Sequence, residues 1–99
     1  MIAISESSLV LVRDILKKTV PNVEVRAFGS RVKGTNRKYS DLDLALIGEE
    51  RLGISILGNV IEAFMESTLP FRVDVLDYNG ISENFRKIID TDYEKIDLC

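Results

Sequence analysis

The sequence contains no histidine and no tryptophan, and its 99 residues include one cysteine, at position 99. Without histidine, Ser-His-Asp and Cys-His catalysis, His-ligated zinc and the usual neutral-pH proton shuttle are all excluded. One cysteine cannot form an internal disulfide framework, so a reducing, cytoplasmic setting is expected and Cys99 reads as a terminal free thiol. Long apolar runs are missing too. None approaches the roughly 18 residues of a membrane span, and Met1–Ser8 lacks the basic and apolar regions of a signal peptide. Nor is positive charge in excess: 13 Lys+Arg face 16 Asp+Glu, a net charge of −3, which argues against a general nucleic-acid binder. Any chemistry must come from carboxylates, hydroxyls, Lys/Arg and backbone amides.

What is present suffices for a fold. The length suits one domain covering 1–99, and a chain of this size hides roughly 60–65% of its unfolded surface. Apolar residues make up 45%, enough for one core without metal or disulfide. No repeat, low-complexity tract or linker divides the chain.

Periodicity orders the elements. Leu9, Val12, Ile15, Leu16 and Val20 recur at helical spacing and predict a helix over Ser5–Val20, with serines to cap it and Pro21 to end it. Val23–Phe28 alternates as a strand and stops at Gly29-Ser30. Residues 31–40 are polar and read as a loop, with room for one helical turn at its start. Asp41–Ile47 predicts a second strand, Leu42, Leu44 and Leu46 on one side and Asp41, Asp43, Ala45 and Ile47 on the other. A helix over Ile54–Ser67 carries Leu57, Ile61, Phe64 and Met65 as its apolar face. Phe71–Leu76 is a third strand, Asn79-Gly80 a turn, and Ser82 caps a last helix bearing Phe85, Ile88 and Ile89. Residues 93–99 fit either a short edge strand or a loose end. The expected architecture is α/β of the α+β type, a small mixed sheet packed against helices in the order αβ(loop)βαβα.

Asp41 and Asp43 are the first candidates for chemistry. Carboxylates at i and i+2 of a strand project from one face, and the alternating leucines pin that register. Side by side they repel, and a divalent cation is the simplest remedy. Oxygen ligands without His or Cys select Mg²⁺ or Mn²⁺. Gly29-Ser30 stands where the first strand ends; glycine permits close approach, and a helical turn beginning at Ser30 would offer amides and a hydroxyl to a phosphate. Arg31, Lys33, Arg37 and Lys38 add four cations without an acid, leaving −7 on the rest of the chain, a pattern suited to a polyanion. Asp74 lies on a strand that could bring it beside Asp43. Asp77 competes, but its odd offset from Asp74 puts it on the opposite face or past the strand end. Each feature alone is ordinary, since a lone D-x-D is usually a solvated strand end. Their order is what is specific.

The run AFGSRVKGTNRKYSDLDLALI, Ala27 to Ile47, resembles the signature of the nucleotidyltransferase superfamily that includes DNA polymerase beta. Within it, the chain most resembles the minimal nucleotidyltransferases (MNT proteins), single small domains similar to the catalytic part of kanamycin nucleotidyltransferase. Gly29 and Ser30 match the Gly-Ser pair, Arg31 and Gly34 the adjoining loop, and Ser40, Asp41 and Asp43 its second half. Asp74 matches the third metal-site carboxylate. The resemblance is to the minimal domain, and no counterpart of the helical recognition domain of larger relatives is expected.

The resemblance implies that ATP or another NTP lies against Gly29, Ser30, Arg31, Gly34 and Ser40. It also implies that Asp41, Asp43 and Asp74 hold two Mg²⁺ ions (Mn²⁺ being the alternative), and that an adenylyl group passes to an acceptor hydroxyl with loss of pyrophosphate. Asp74 is also the candidate proton acceptor in place of a histidine. A sheet this small leaves little wall to enclose nucleotide and acceptor, so a second subunit is expected. For MNT-like proteins that partner is a small helical HEPN protein, with the MNT member as antitoxin adenylylating a tyrosine of the toxin. Two other classes stay open: a binding module without turnover, and the catalytic subunit of a small-molecule (aminoglycoside-like) nucleotidyltransferase. Intact Ser30, Asp41, Asp43 and Asp74 favour the protein-directed enzyme, because scaffolding needs no such constellation.

Overall fold

Ser5 accepts a hydrogen bond from the Ser8 amide and starts helix α1 (Glu6–Thr19) in a computed structural model that describes residues 2–98. Glu6 in its first turn and Lys17 and Lys18 in its last complement the helix dipole. Strand β1 (Glu24–Phe28) leads through Gly29 into a single helical turn, α2 (Ser30–Lys33). Then follow β2 (Leu42–Ile47), α3 (Ile54–Met65) and β3 (Val73–Asp77). A 3₁₀ turn (Tyr78–Gly80), helix α4 (Glu83–Thr91) capped by Ser82, and strand β4 (Glu94–Ile96) complete the order. The ambiguous tail is therefore an edge strand over part of its length, while Cys99 lies outside the described residues.

The four strands form one mixed sheet in the order β3-β2-β1-β4. β1 runs antiparallel to β2 and β4, whereas β3 runs parallel to β2. That parallel pair needs a crossover, and α3 supplies it. Val25 and Ala27, the three leucines of β2 and Val73 face Val12 and Leu16 of α1 and Val60 and Phe64 of α3. Each fully buried leucine contributes on the order of 1.5–3 kcal/mol. Burial of Leu42, Leu44 and Leu46 thus holds Asp43 on the opposite face. Over that face, near β1, lies α4: Asp90 accepts from Arg26 Nη1 at 2.6 Å, and the Phe85 and Phe28 rings meet edge to face at 6.0 Å.

Two apolar faces depart from expectation. On α3, Val60 and Phe64 are buried, but Ile61 and Met65 are exposed. The helix is apolar around more of its circumference than α1 and β3 can cover, so part of the predicted core stripe faces outward. On α4, Ile89 is buried and Ile88 is 62% exposed, because consecutive helical positions point about 100° apart. Strand boundaries shift by one or two residues: Asp41 stands just ahead of β2, and Asp77 joins β3.

Candidate active site

Register assembles the acids. The parallel pairing sets Asp43 opposite Asp74, and the antiparallel pairing sets Asp43 opposite Phe28, the residue before Gly29. Asp41, two residues before Asp43, stands close enough to Asp74 to help raise that carboxyl's pKa. Thus the D-x-D pair and the acid 31 residues after Asp43 converge at one end of the sheet.

Gly29 completes this end. Its φ of +81° lies in the region that favours glycine, and a Cβ there would run into the Asp43 carboxylate, at 3.3 Å from Cγ and nearer to Oδ2. The residue is glycine for both reasons. Its carbonyl accepts from the Val32 and Lys33 amides, so α2 begins against Asp43. The first amides of such a turn have no acceptor within it. Gly34 closes the turn in the left-handed conformation, with its amide bonded to the Ser30 carbonyl.

The electrostatics express crowding. Asp43 is pushed up to about 6, first by burial and then by the charges of Asp74 and Asp41. Asp74 is also raised, first by burial and then by the neighbouring Asp41 carboxyl, although Arg72 pulls the other way. Arg72 Nε stands 3.2 Å from Asp74 Oδ1. Strand parity places Arg72 and Asp74 on one face, the signal in the sequence that pairs them.

Not every residue of the signature points at the acids. Arg31, read as a phosphate-side cation, is buried: its guanidinium donates to the carbonyls of Ser40, Ala3 and Lys38 at 2.9, 2.7 and 3.2 Å, and stacks on Phe71. A fork-shaped donor matches several converging carbonyls, so Arg31 holds the loop and the segment before α1 in place. Ser40 works from the other side, its carbonyl accepting from Arg31 and its Oγ from the Arg37 amide at 2.8 Å. Both act through loop geometry. Lys33, Arg37 and Lys38 are the exposed cations of the cluster.

Asp77 is a structural acid. It faces the core side opposite Leu46, where one carboxylate oxygen accepts from the Leu52 amide at 2.9 Å and the other from the Asn79 amide at 3.2 Å. It ties the segment before α3 to the turn after β3. Asp77 therefore lies on the face of β3 opposite Asp74.

The donor set fits a hard cation held openly. Asp41, Asp43 and Asp74 offer oxygen alone, and burial followed by mutual charge raises Asp43 and Asp74. Among the described residues no three acids are arranged to hold a metal ion unaided. Mg²⁺ characteristically takes one or two carboxylates and fills the rest of its shell with phosphate oxygens and water. Residues 9–98 match the family profile described as nucleotidyltransferase domain. The chain belongs to the nucleotidyltransferase family.

Within that family it is 54% identical over 86 residues to a Haemophilus influenzae protein named "Probable protein adenylyltransferase MntA", spanning 87% of this chain and 75% of that one. Solved nucleotidyltransferase-like folds agree in shape. A chain from a toxin–antitoxin crystal structure with AMP-PNP superposes with a TM-score of 0.76 at 21% identity, covering 89% of this chain and 71% of the other. A second comes from a tri-AMPylated Shewanella oneidensis HEPN toxin in complex with its MNT antitoxin, with a TM-score of 0.64, 19% identity and coverage of 89% and 71%. These two likenesses concern the fold.

Proposed function

We propose that this nucleotidyltransferase is a single-domain, Mg²⁺-dependent protein adenylyltransferase acting as the antitoxin of a helical HEPN-type toxin, in the cytoplasm. The observation that carries this reading is the meeting of Asp41, Asp43 and Asp74 beside the Gly29 turn. The 54% identity to the Haemophilus protein supports AMP as the transferred group. No helix among the described residues is long and apolar enough to cross a membrane.

In the proposed reaction the triphosphate of ATP lies along the start of α2, near Gly29 and Ser30, with Lys33, Arg37 and Lys38 supplying positive field. Asp41, Asp43 and Asp74 would hold Mg²⁺, which when bound neutralises phosphate charge and draws down the carboxylate repulsion. An acceptor hydroxyl oxygen attacks the α-phosphorus. The new O–P bond forms as the α–β bridging bond breaks, pyrophosphate departs with that electron pair, and the hydroxyl proton passes to Asp74. Arg72, paired with Asp74, orients that carboxylate.

The test is co-expression with the HEPN-type partner, followed by intact mass of the partner for wild type and Asp74→Asn. A gain of one or more AMP units with wild type alone is expected. A stable complex with no added mass in either sample would overturn the enzymatic reading in favour of a binding subunit.

A further inference from the structure

The chain has three tyrosines, and the fold treats them differently. Tyr78 donates its hydroxyl hydrogen to Asp90 at 2.6 Å, and Tyr93 lies under the Arg26 guanidinium, 4.4 Å from its ring centroid. Both are tied into the Arg26–Asp90 cluster beside α4. Tyr39 is 73% exposed, with Lys38 Nζ 5.4 Å from its ring centroid. Its backbone is nonetheless fixed. Lys38 and Tyr39 form the tip of a turn that the Ser40 amide closes on the Arg37 carbonyl at 3.1 Å. From beneath, the buried Arg31 guanidinium holds the carbonyls on either side of Tyr39, Lys38 at 3.2 Å and Ser40 at 2.9 Å. The loop therefore presents a phenol to solvent on a rigid base, and capturing it costs little further ordering.

Charge and stereochemistry decide what can capture it. Arg37 and Lys38 immediately precede Tyr39, whereas Asp41, Asp43 and Asp74 gather carboxylates at one end of the sheet. Loop and acid site are opposite in sign, and every copy of the chain carries both, so two copies can meet loop to site. The direction of displacement excludes the same chain. In the proposed reaction the triphosphate lies along the start of α2, and pyrophosphate leaves on the side of the basic loop. Attacking and leaving oxygens stand roughly in line across the phosphorus. A chain's own Tyr39 rides in that loop, on the leaving-group side, and is not placed for in-line attack. Tyr39 of a second copy can enter from the opposite side.

We propose that Tyr39 is a self-modification site, its hydroxyl accepting the adenylyl group of ATP bound to a second copy of this chain. The inference rests on the adenylyltransferase reading above and adds an acceptor within the protein itself. Tyr39 Oη of one copy forms a bond to the α-phosphorus held by the other as the α–β bridging bond breaks. Pyrophosphate departs with that electron pair, and the phenol proton passes to Asp74 of the copy that holds ATP. The product is a phosphodiester joining Tyr39 to AMP.

Mixing two variants separates donor from acceptor. Tyr39→Phe supplies the activity without the acceptor, and Asp43→Asn supplies the acceptor without the activity. After incubation with ATP and Mg²⁺, intact mass should show one AMP unit on the Asp43→Asn chain and none on the Tyr39→Phe chain. A recipient carrying both Asp43→Asn and Tyr39→Phe should gain nothing, and a gain there would overturn the assignment to Tyr39. An unmodified Asp43→Asn chain, when the same Tyr39→Phe donor adds AMP to the purified HEPN-type partner, would overturn self-modification and leave the enzyme reading intact. Absence of transfer by wild type, to the partner and to itself, would overturn both.

Discussion

Replacing Asp43 by asparagine should stabilise the free protein while removing its activity. Asp43 titrates near 6 in the fold against about 3.9 in an unfolded chain. Between those values the folded state binds more protons than the unfolded one, so stability falls as pH rises from about 4 to about 6. The full shift corresponds to about 3 kcal/mol. Asp43 is only partly buried, and solvent screening reduces this to about 1–2 kcal/mol. Asparagine keeps the shape that Gly29 accommodates and removes the charge facing Asp74 and Asp41. Urea unfolding in chelator should therefore find Asp43→Asn about 1–2 kcal/mol more stable than wild type at pH 7.5, with the difference gone by pH 4. For a domain of this size each kcal/mol corresponds to about 4–8 °C in Tm. Mg²⁺ with nucleotide should raise the wild-type midpoint and leave that of the variant unmoved. Equal or lower stability of Asp43→Asn at pH 7.5 would refute the claim that repulsion and burial act on this carboxylate.

Gly29→Ala should cost about 1–3 kcal/mol from its positive φ alone, and displacement of Asp43 should abolish transfer; normal turnover in an AMP-transfer assay would contradict the geometry. Arg31→Ala, which strands the carbonyls of Ala3, Lys38 and Ser40, should lower unfolding free energy by about 2–4 kcal/mol, and Arg31→Lys should recover little of it because an ammonium lacks the fork. Full rescue by lysine in thermal unfolding would return Arg31 to a simple charge role. Asp77→Asn should lose about 1–2 kcal/mol through its weakened bonds to Leu52 and Asn79 and retain transfer, whereas Asp74→Asn should fold normally and lose it. The opposite pattern in paired activity and melting measurements would reassign the third acid.

That Asp41, Asp43 and Asp74 gather on one side of the sheet was legible because strand parity is local. Leu42, Leu44 and Leu46 must be buried together, which commits Asp41 and Asp43 to the other side. The same parity separates Asp74 from Asp77, although only the hydrogen bonds from Leu52 and Asn79 explain why an acid stands at 77. Arg31 was not legible in this way. A cation between a glycine and a basic loop reads as solvated until the carbonyls of Ala3, Lys38 and Ser40 are brought around it, and those come from separate parts of the chain. Ile61 and Met65 escaped for a related reason: an apolar helical stripe does not say how much of itself its neighbours will cover.

By itself, then, the sequence determined the elements as far as the last helix, the face on which each carboxylate lies, and the exclusion of histidine chemistry. Those follow from residue type and from periods of two or 3.6 positions, which the backbone imposes wherever the chain goes. Tertiary structure alone decided the partners. Parallel pairing of β2 with β3 put Asp74 opposite Asp43, burial and mutual charge raised their pKa values, and the limited reach of α1 left one side of α3 bare. Such properties depend on what arrives from elsewhere in the chain, so they exist only once the sheet has closed.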